Sequence, residues 1–217
     1  MISLIYDCSG LHFSVGLYQN QQLIFSKKIA ESHKHSEIMV ATIDDMLKQH
    51  KLHYQDLDFV ATTKGPGSFT GLRVGLAFLK TLQILANIKV MAVDNFIAYA
   101  YHYYQKNQPQ KLPNHSIFVA LDSGNQHVYL CGFDIVQNGF NKNSWLKSFN
   151  YADFTSYLAE NQQTIFVGNA KNLPESARQE ISINALQELC FLQYRGVNVG
   201  CNFDDKAEIF YNIENLY

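Results

Sequence analysis

Lys64-Gly65-Pro66-Gly67-Ser68-Phe69-Thr70-Gly71-Leu72-Arg73-Val74-Gly75 carries the residue types and spacing best suited to meeting an anion. An apolar, strand-like run at 59–63 precedes it, and a helical pattern with Leu72, Leu76, Leu79 and Leu82 follows. A strand, a glycine-rich turn and a helix start together aim backbone N–H groups outward, where they can bind phosphate. Gly65 and Gly67 permit positive φ or close backbone approach, and Pro66 fixes the turn between them. Thr70 is expected to cap the helix with its hydroxyl. Two readings follow: a phosphate site, or a rigid turn that holds the helix against its sheet. A Walker A loop is excluded, because no Gly-Lys-Ser/Thr closes the run and Lys64 stands on the wrong side. The dinucleotide fingerprint is excluded too, since it needs three glycines in the first strand-to-helix turn.

Other candidates are sparser. Asp7-Cys8-Ser9 ends the first apolar run, and Asp122-Ser123-Gly124 separates two later ones. Each is equally an ordinary turn. His33 and His35 invite a metal reading, but two histidines at i and i+2 cannot share one face of a helix. Cys8, Cys131, Cys190 and Cys201 show no CxxC spacing, so neither a zinc knuckle nor a redox dithiol is indicated. No Gly-x-Ser-x-Gly elbow, His-Glu-x-x-His or EF-hand loop occurs.

The 217 residues suffice for one large domain or two small ones, with 47% hydrophobic and 17% charged residues. A net charge of −2 gives no bulk electrostatic footprint for nucleic acid. Residues 1–6 read as a strand rather than a leader, and no apolar run approaches the roughly 18 residues that span a bilayer. A cytoplasmic protein without a membrane segment is the expectation.

The elements that must position these residues follow from periodicity. Runs at 2–6, 12–18 and 23–29 form an antiparallel meander, and a helix covers 36–48. A strand at 56–63, a helix at 70–86, a strand at 90–93 and a helix at 95–104 follow. Residues 105–115 are polar with two prolines and mark the clearest boundary. Beyond it lie strands at 116–121 and 126–133, a weaker one near 145–149, a helix at 151–160 and a strand at 164–167. A helical stretch covers 186–192, and the tail from 207 is amphipathic. The order βββαβαβα, a linker, then ββ(β)αβα resembles a repeated unit, the topology of the actin-like ATPase superfamily. The expected class is therefore α/β. It comprises two tandem actin-like (ribonuclease H-like) subdomains, 1–105 and a reduced 116–217, joined by a 106–115 linker. Each is a mixed sheet flanked by helices.

The loop string, above all Ser68-Phe69-Thr70-Gly71-Leu72-Arg73, resembles that of the TsaB family, paralogous to TsaD in bacterial threonylcarbamoyl-tRNA biosynthesis. The His35-Ser36-Glu37 helix opening and Ala120-Leu121-Asp122 with Val128-Tyr129 extend the likeness. Ser123-Gly124-Asn125-Gln126 departs from the family's usual Ala-Arg-x-Gly-Glu turn, and 209–213 lacks its Pro-x-Tyr-Leu-Arg. The resemblance implies a scaffold subunit that pairs with TsaD and, with the small ATPase TsaE, transfers threonylcarbamoyl to adenosine 37 of tRNAs reading codons beginning with A.

It also implies a reduced nucleotide cleft around Asp7, Gly65, Gly67, Ser68, Thr70, Gly71 and Asp122. The implied interface comprises His35, Glu37, Met39, Ile43, Met46, Leu47 and Arg73, and serves a homodimer when the chain is alone. TsaD carries a metal-binding His-x-x-x-His pair on the helix after its fourth main strand; Asn95 and Tyr99 stand at those positions here. No catalytic residue, metal or retained cofactor is therefore expected in this chain, with ATP and magnesium belonging to the complex. tRNA is met mainly through the complex. Two other readings remain: a stand-alone actin-like ATPase or small-molecule kinase using Asp7, Asp122 and the loop, and a glycopeptidase-type metallohydrolase.

Overall fold

Apolar residues at consecutive positions in the first strand bury both of its faces, as a central parallel strand requires. In this computed structural model, which describes residues 1–30, 35–107, 115–122, 126–136 and 139–196, that strand is β1 (Ile2–Asp7). Leu4 and Tyr6 enter one core and Ile5 the other, by the period of two. β2 (Phe13–Gln19) and β3 (Gln22–Ile29) complete an antiparallel meander. Asn20 and Gln21 both take positive φ between β2 and β3, as a tight two-residue hairpin demands.

Helix α1 (His35–Gln49) leads to β4 (Phe59–Gly65), α2 (Phe69–Ala86), β5 (Lys89–Asp94) and α3 (Asn95–Asn107). The strand expected from residue 56 starts later, because Tyr54–Asp56 form a 3-10 turn in which the Asp56 carboxylate accepts from the His53 N–H. β4 lies parallel to β1 and β5 parallel to β4, giving the order β3-β2-β1-β4-β5. One face carries α1 and α2. Tyr6 donates from its hydroxyl to the Gly75 carbonyl at 2.7 Å, so α2 sits directly on β1.

The second half repeats the opening: β6 (His115–Asp122), β7 (His127–Val136) and β8 (Gly139–Asn150), then α4 (Tyr151–Glu160) and β9 (Ile165–Gly168). The order is β8-β7-β6-β9, with β9 parallel to β6. β8 is far longer than the weak run expected near 145–149. Its polar first half pairs with the end of β7, where cross-strand bonding rather than hydrophobicity defines the strand.

The last helix among the described residues, α5 (Ile183–Tyr194), returns to the first sheet. Tyr18 of β2 donates to Asn184 at 2.7 Å, and Phe59 stacks on Tyr194 with centroids 5.1 Å apart. Helices α3 and α5 lie between the sheets in one core that joins Ile5, Phe59 and Val93 to Ile117, Val119 and Phe133. The halves expected to divide at 106–115 thus share a core; residues 108–114 and 197–217 lie outside the described residues.

Candidate functional site

Gly65 ends β4 with φ +107 and a cis bond to Pro66. Asn95, at the start of α3, clamps this turn: its Oδ1 accepts from the Gly65 N–H at 3.0 Å, and its Nδ2 donates to the Pro66 carbonyl at 3.0 Å. The helix cap is Ser68, not Thr70. Its Oγ accepts from the Gly71 N–H at 3.3 Å, whereas Thr70 is exposed one position inside the helix.

The loop folds inward onto the end of β1. The Ser68 N–H donates to the Ser9 carbonyl at 2.7 Å. A Cβ on Gly67 would stand 2.6 Å from that oxygen, and one on Gly71 2.0 Å from the Cys8 carbonyl. Close backbone packing is what the two glycines serve here. Asp7 is absorbed as well, its Oδ1 accepting from the Ser9 N–H at 3.0 Å and from the Thr63 hydroxyl at 2.5 Å. The Ser68 and Gly71 N–H groups and Asp7 Oδ1 are thus each taken up by partners in the loop and the neighbouring strand ends.

Replacing Asn95 with alanine orphans the Gly65 N–H and the Pro66 carbonyl in a buried setting, at roughly 1–3 kcal/mol for each group left unpaired. Urea unfolding should show that loss. Wild-type stability in the variant would remove the clamp.

Asp122 belongs to a separate cluster. Its Oδ2 accepts from the Tyr151 hydroxyl at 2.7 Å and lies 3.8 Å from Lys171 Nζ, while its N–H donates to Asn169 Oδ1 at 2.9 Å. Burial, then the Asp122 hydrogen bond and charge, push the Tyr151 hydroxyl up to about 12. Ser123 and Gly124 lie outside the described residues. Asn95 and Tyr99 are both buried. Burial, with the charges of Asp7 and Glu180 added, holds the Tyr99 hydroxyl well above its ordinary value, so it remains a neutral phenol in the core.

Among the described residues, two ion-pair groups join the halves and left no signature in the spacing of the sequence. Asp94, at the end of β5, accepts from the Phe96 N–H at 2.8 Å and from Lys142 of β8 at 2.7 Å. Glu180 pairs with Lys28 of β3 and with His12 Nδ1 at 3.0 Å. Their partners are dozens of residues apart, beyond any local pattern.

The helix face needs the largest correction. Met39, Ile43, Met46 and Leu47 are buried in the first half's own core with Leu4, Val60 and Leu79, so they cannot meet a partner. His35 opens α1, and its side chain lies outside the described residues; Glu37 and Arg73 are exposed. The outward stripe of α2 runs Phe69, Arg73, Ala77, Thr81, then Ile84 and Leu85, at near i+4 spacing. The Arg73 guanidinium lies 3.7 Å from the centroid of the Phe69 ring. Ile84 and Leu85 are 77% and 79% exposed, and Val40 of α1, a helix that packs on α2, is exposed as well. Contrary to expectation, α2 is by length and composition apolar enough to cross a bilayer, although Arg73 and Lys80 interrupt it. Its opposite side, Leu72, Leu76, Leu79 and Leu82, packs against the sheet.

Two sheets, each built on a meander and a parallel strand, with one helix from each half packed between them, define the actin-like ATPase class of fold. The chain belongs to the family described as TsaD, tRNA N6-adenosine threonylcarbamoyltransferase, whose model matches residues 27–188. It is 26% identical over 117 residues to the tRNA threonylcarbamoyladenosine biosynthesis protein TsaB of Buchnera aphidicola (strain APS), covering 54% of this chain and 50% of that protein. The TsaB of Haemophilus influenzae is 28% identical over 126 residues, 58% of this chain and 51% of its own. The chain thus spans about half the length of the curated TsaB relatives it matches. In structure it is similar to YeaZ from Pseudomonas aeruginosa, with a TM-score of 0.68, 18% identity, and coverage of 97% and 99% of the two chains. That likeness shows the fold.

Proposed function

We propose that this chain is the TsaB-type subunit of the assembly that transfers threonylcarbamoyl to N6 of adenosine 37 in tRNAs reading codons beginning with A, and that it acts as a non-catalytic scaffold. The observation that carries the reading is the exposed stripe on α2 with Ile84 and Leu85, set beside a glycine loop packed tightly against the end of β1. An apolar, aromatic and arginine-bearing face is the composition of a protein interface. The partner is a TsaD-type paralogue, which would present a related helix pair and supply the metal and the reacting nucleotide. Without that partner the same face closes a homodimer, since a surface shared between paralogues is self-complementary about a two-fold axis.

TsaE completes the assembly, and tRNA binds mainly through the other subunits, in keeping with the net charge of −2. The chain retains no nucleotide of its own, and the assembly works in the cytoplasm without a membrane.

Transfer of labelled threonylcarbamoyl to tRNA in a mixture of TsaD, TsaE and preformed adenylate, with and without this chain, tests the proposal. Strict dependence on the chain, with no ATP turnover by the chain alone, is the expected result. Undiminished transfer in its absence, or ATP hydrolysis by the isolated chain that Asp122→Asn abolishes, would replace the scaffold with an independent ATPase.

A further inference from the structure

The second sheet stops short at one edge. In the first half the parallel strand β5 lies outside β4; among the described residues, the order of the second half ends at β9. A groove of about 680 Å³ runs beside β9, where a counterpart of β5 would lie. Its walls follow from the alternation of the strand. Phe166 and Leu158 of α4 pack on one core, and Val167 and Tyr103 of α3 on the other, so Ile165 shares the α3 side.

The backbone of β9 is presented to that groove. The Asn169 N–H donates to the Ala120 carbonyl, so residues 165, 167 and 169 turn toward β6. The Gly168 carbonyl faces outward and accepts from the Gln179 N–H at 2.6 Å. Phe166 shares the side of Gly168, because alternate residues of a strand address the same edge. Its N–H and carbonyl therefore face the groove, and neither is taken up by another described residue. The Gly168–Arg178 bridge closes only the far end. Gln179 Oε1 also lines the groove, buried and without a hydrogen-bond partner among the described residues. An open strand edge beside a buried, unsatisfied acceptor is a template for one more strand.

We propose that this edge docks an extended segment of a partner protein, which joins the sheet as a fifth strand and carries an acidic residue on its α3 side. Main-chain pairing to Phe166 supplies affinity, and alternate side chains supply the choice of partner. Toward α4 the groove offers Phe166 and Leu158, which suit an apolar side chain. Toward α3 it offers Lys106, the single charged side chain among the residues lining it, which suits a carboxylate. A second copy of this chain fits poorly, because its own β9 is flanked by the same two helices, which would meet those of the first. None of the lining residues belongs to the exposed stripe of α2, so the two surfaces are separate.

The probe is a capped peptide, Val-Glu-Val-Thr-Val, added to the full chain, with amide exchange at Phe166 as the readout. At about ten times its Kd the peptide should slow that exchange about tenfold, by mass action. Lys106→Glu, a change at an exposed position near the end of α3, should weaken binding at least about tenfold, and Val-Lys-Val-Thr-Val should recover what is lost. N-methylation of the peptide at its odd or at its even residues reads the strand pairing itself. One set should abolish binding and the other spare it, since only alternate N–H groups face β9. No binding at about 1 mM peptide, undiminished binding to Lys106→Glu, or equal losses from both methylated sets would overturn the proposal. So would a Phe166 amide already protected in the chain alone. Protection at every protein concentration would close the edge from within, and protection that rises with concentration would assign it to a second copy.

Discussion

Alanine at position 71 is expected to destabilise the protein by about 3 kcal/mol or more, lowering the melting temperature by roughly 6–12 °C. Helix propensity alone predicts the opposite sign, because alanine in a helix is favoured over glycine by about 1 kcal/mol. Contact geometry decides against propensity here. The added Cβ would lie 2.0 Å from the Cys8 carbonyl oxygen, a backbone atom that no rotamer change can move aside. Relief requires α2 to lift from β1, yet the Ser68–Ser9 hydrogen bond and the Tyr6 bond to Gly75 hold it there. Gly10→Ala is the control, since a Cβ at Gly10 meets nothing within 4 Å. Thermal and urea unfolding of both variants gives the comparison. A Gly71→Ala protein as stable as the wild type would mean that the loop is not packed as described.

The second large effect concerns association. Ile84→Lys with Leu85→Lys should weaken pairing with the proposed TsaD-type partner, and any homodimer, by about 100-fold or more, as loss of an interface hot spot does. Both side chains are largely exposed, so the monomer's stability should change by no more than about 0.5 kcal/mol for each. Lysine is chosen because a cation near a helix C-terminus agrees with the macrodipole, which separates lost pairing from a lost helix. Sedimentation velocity beside a melting curve separates the two effects. Undiminished association at the wild-type melting temperature would clear α2 of the role. Ile43→Asp would mislead: it places an unpaired charge in a dry core, which costs several kcal/mol and abolishes pairing by unfolding the subunit.

That contrast shows how far the helix pattern in the sequence reaches. Met39, Ile43, Met46 and Leu47 recur with helical spacing because α1 must bury one face, and the nearest surface to bury it on is its own sheet. The proposed partner interface is built from what remains outside, and on α2 this is a mixed stripe of Phe69, Arg73, Ala77, Thr81, Ile84 and Leu85 that no apolar period singles out. The capping residue was misplaced for a similar reason. Ser68 and Thr70 have equivalent hydroxyls, and only the hydrogen bond from Ser68 to the Ser9 carbonyl decides where the first turn begins. Asn95, which looked like a lost metal ligand, is instead the clamp on the loop, a role set by a contact 29 to 30 residues back in the chain.

Local chemistry is what the chain carries in plain view. The meander, the parallel strands with apolar runs on both faces, the glycine turn between β4 and α2, and the repeated order of elements all depend on neighbours within a few residues. The family follows from the same stretch. Only the tertiary structure decided that the glycines of the loop serve close packing, that Asp7 and Asp122 answer to separate clusters, and that α5 crosses back to seal one core between two sheets. Those outcomes depend on which groups meet across long sequence separations. A residue's type permits many such partners, and packing selects one.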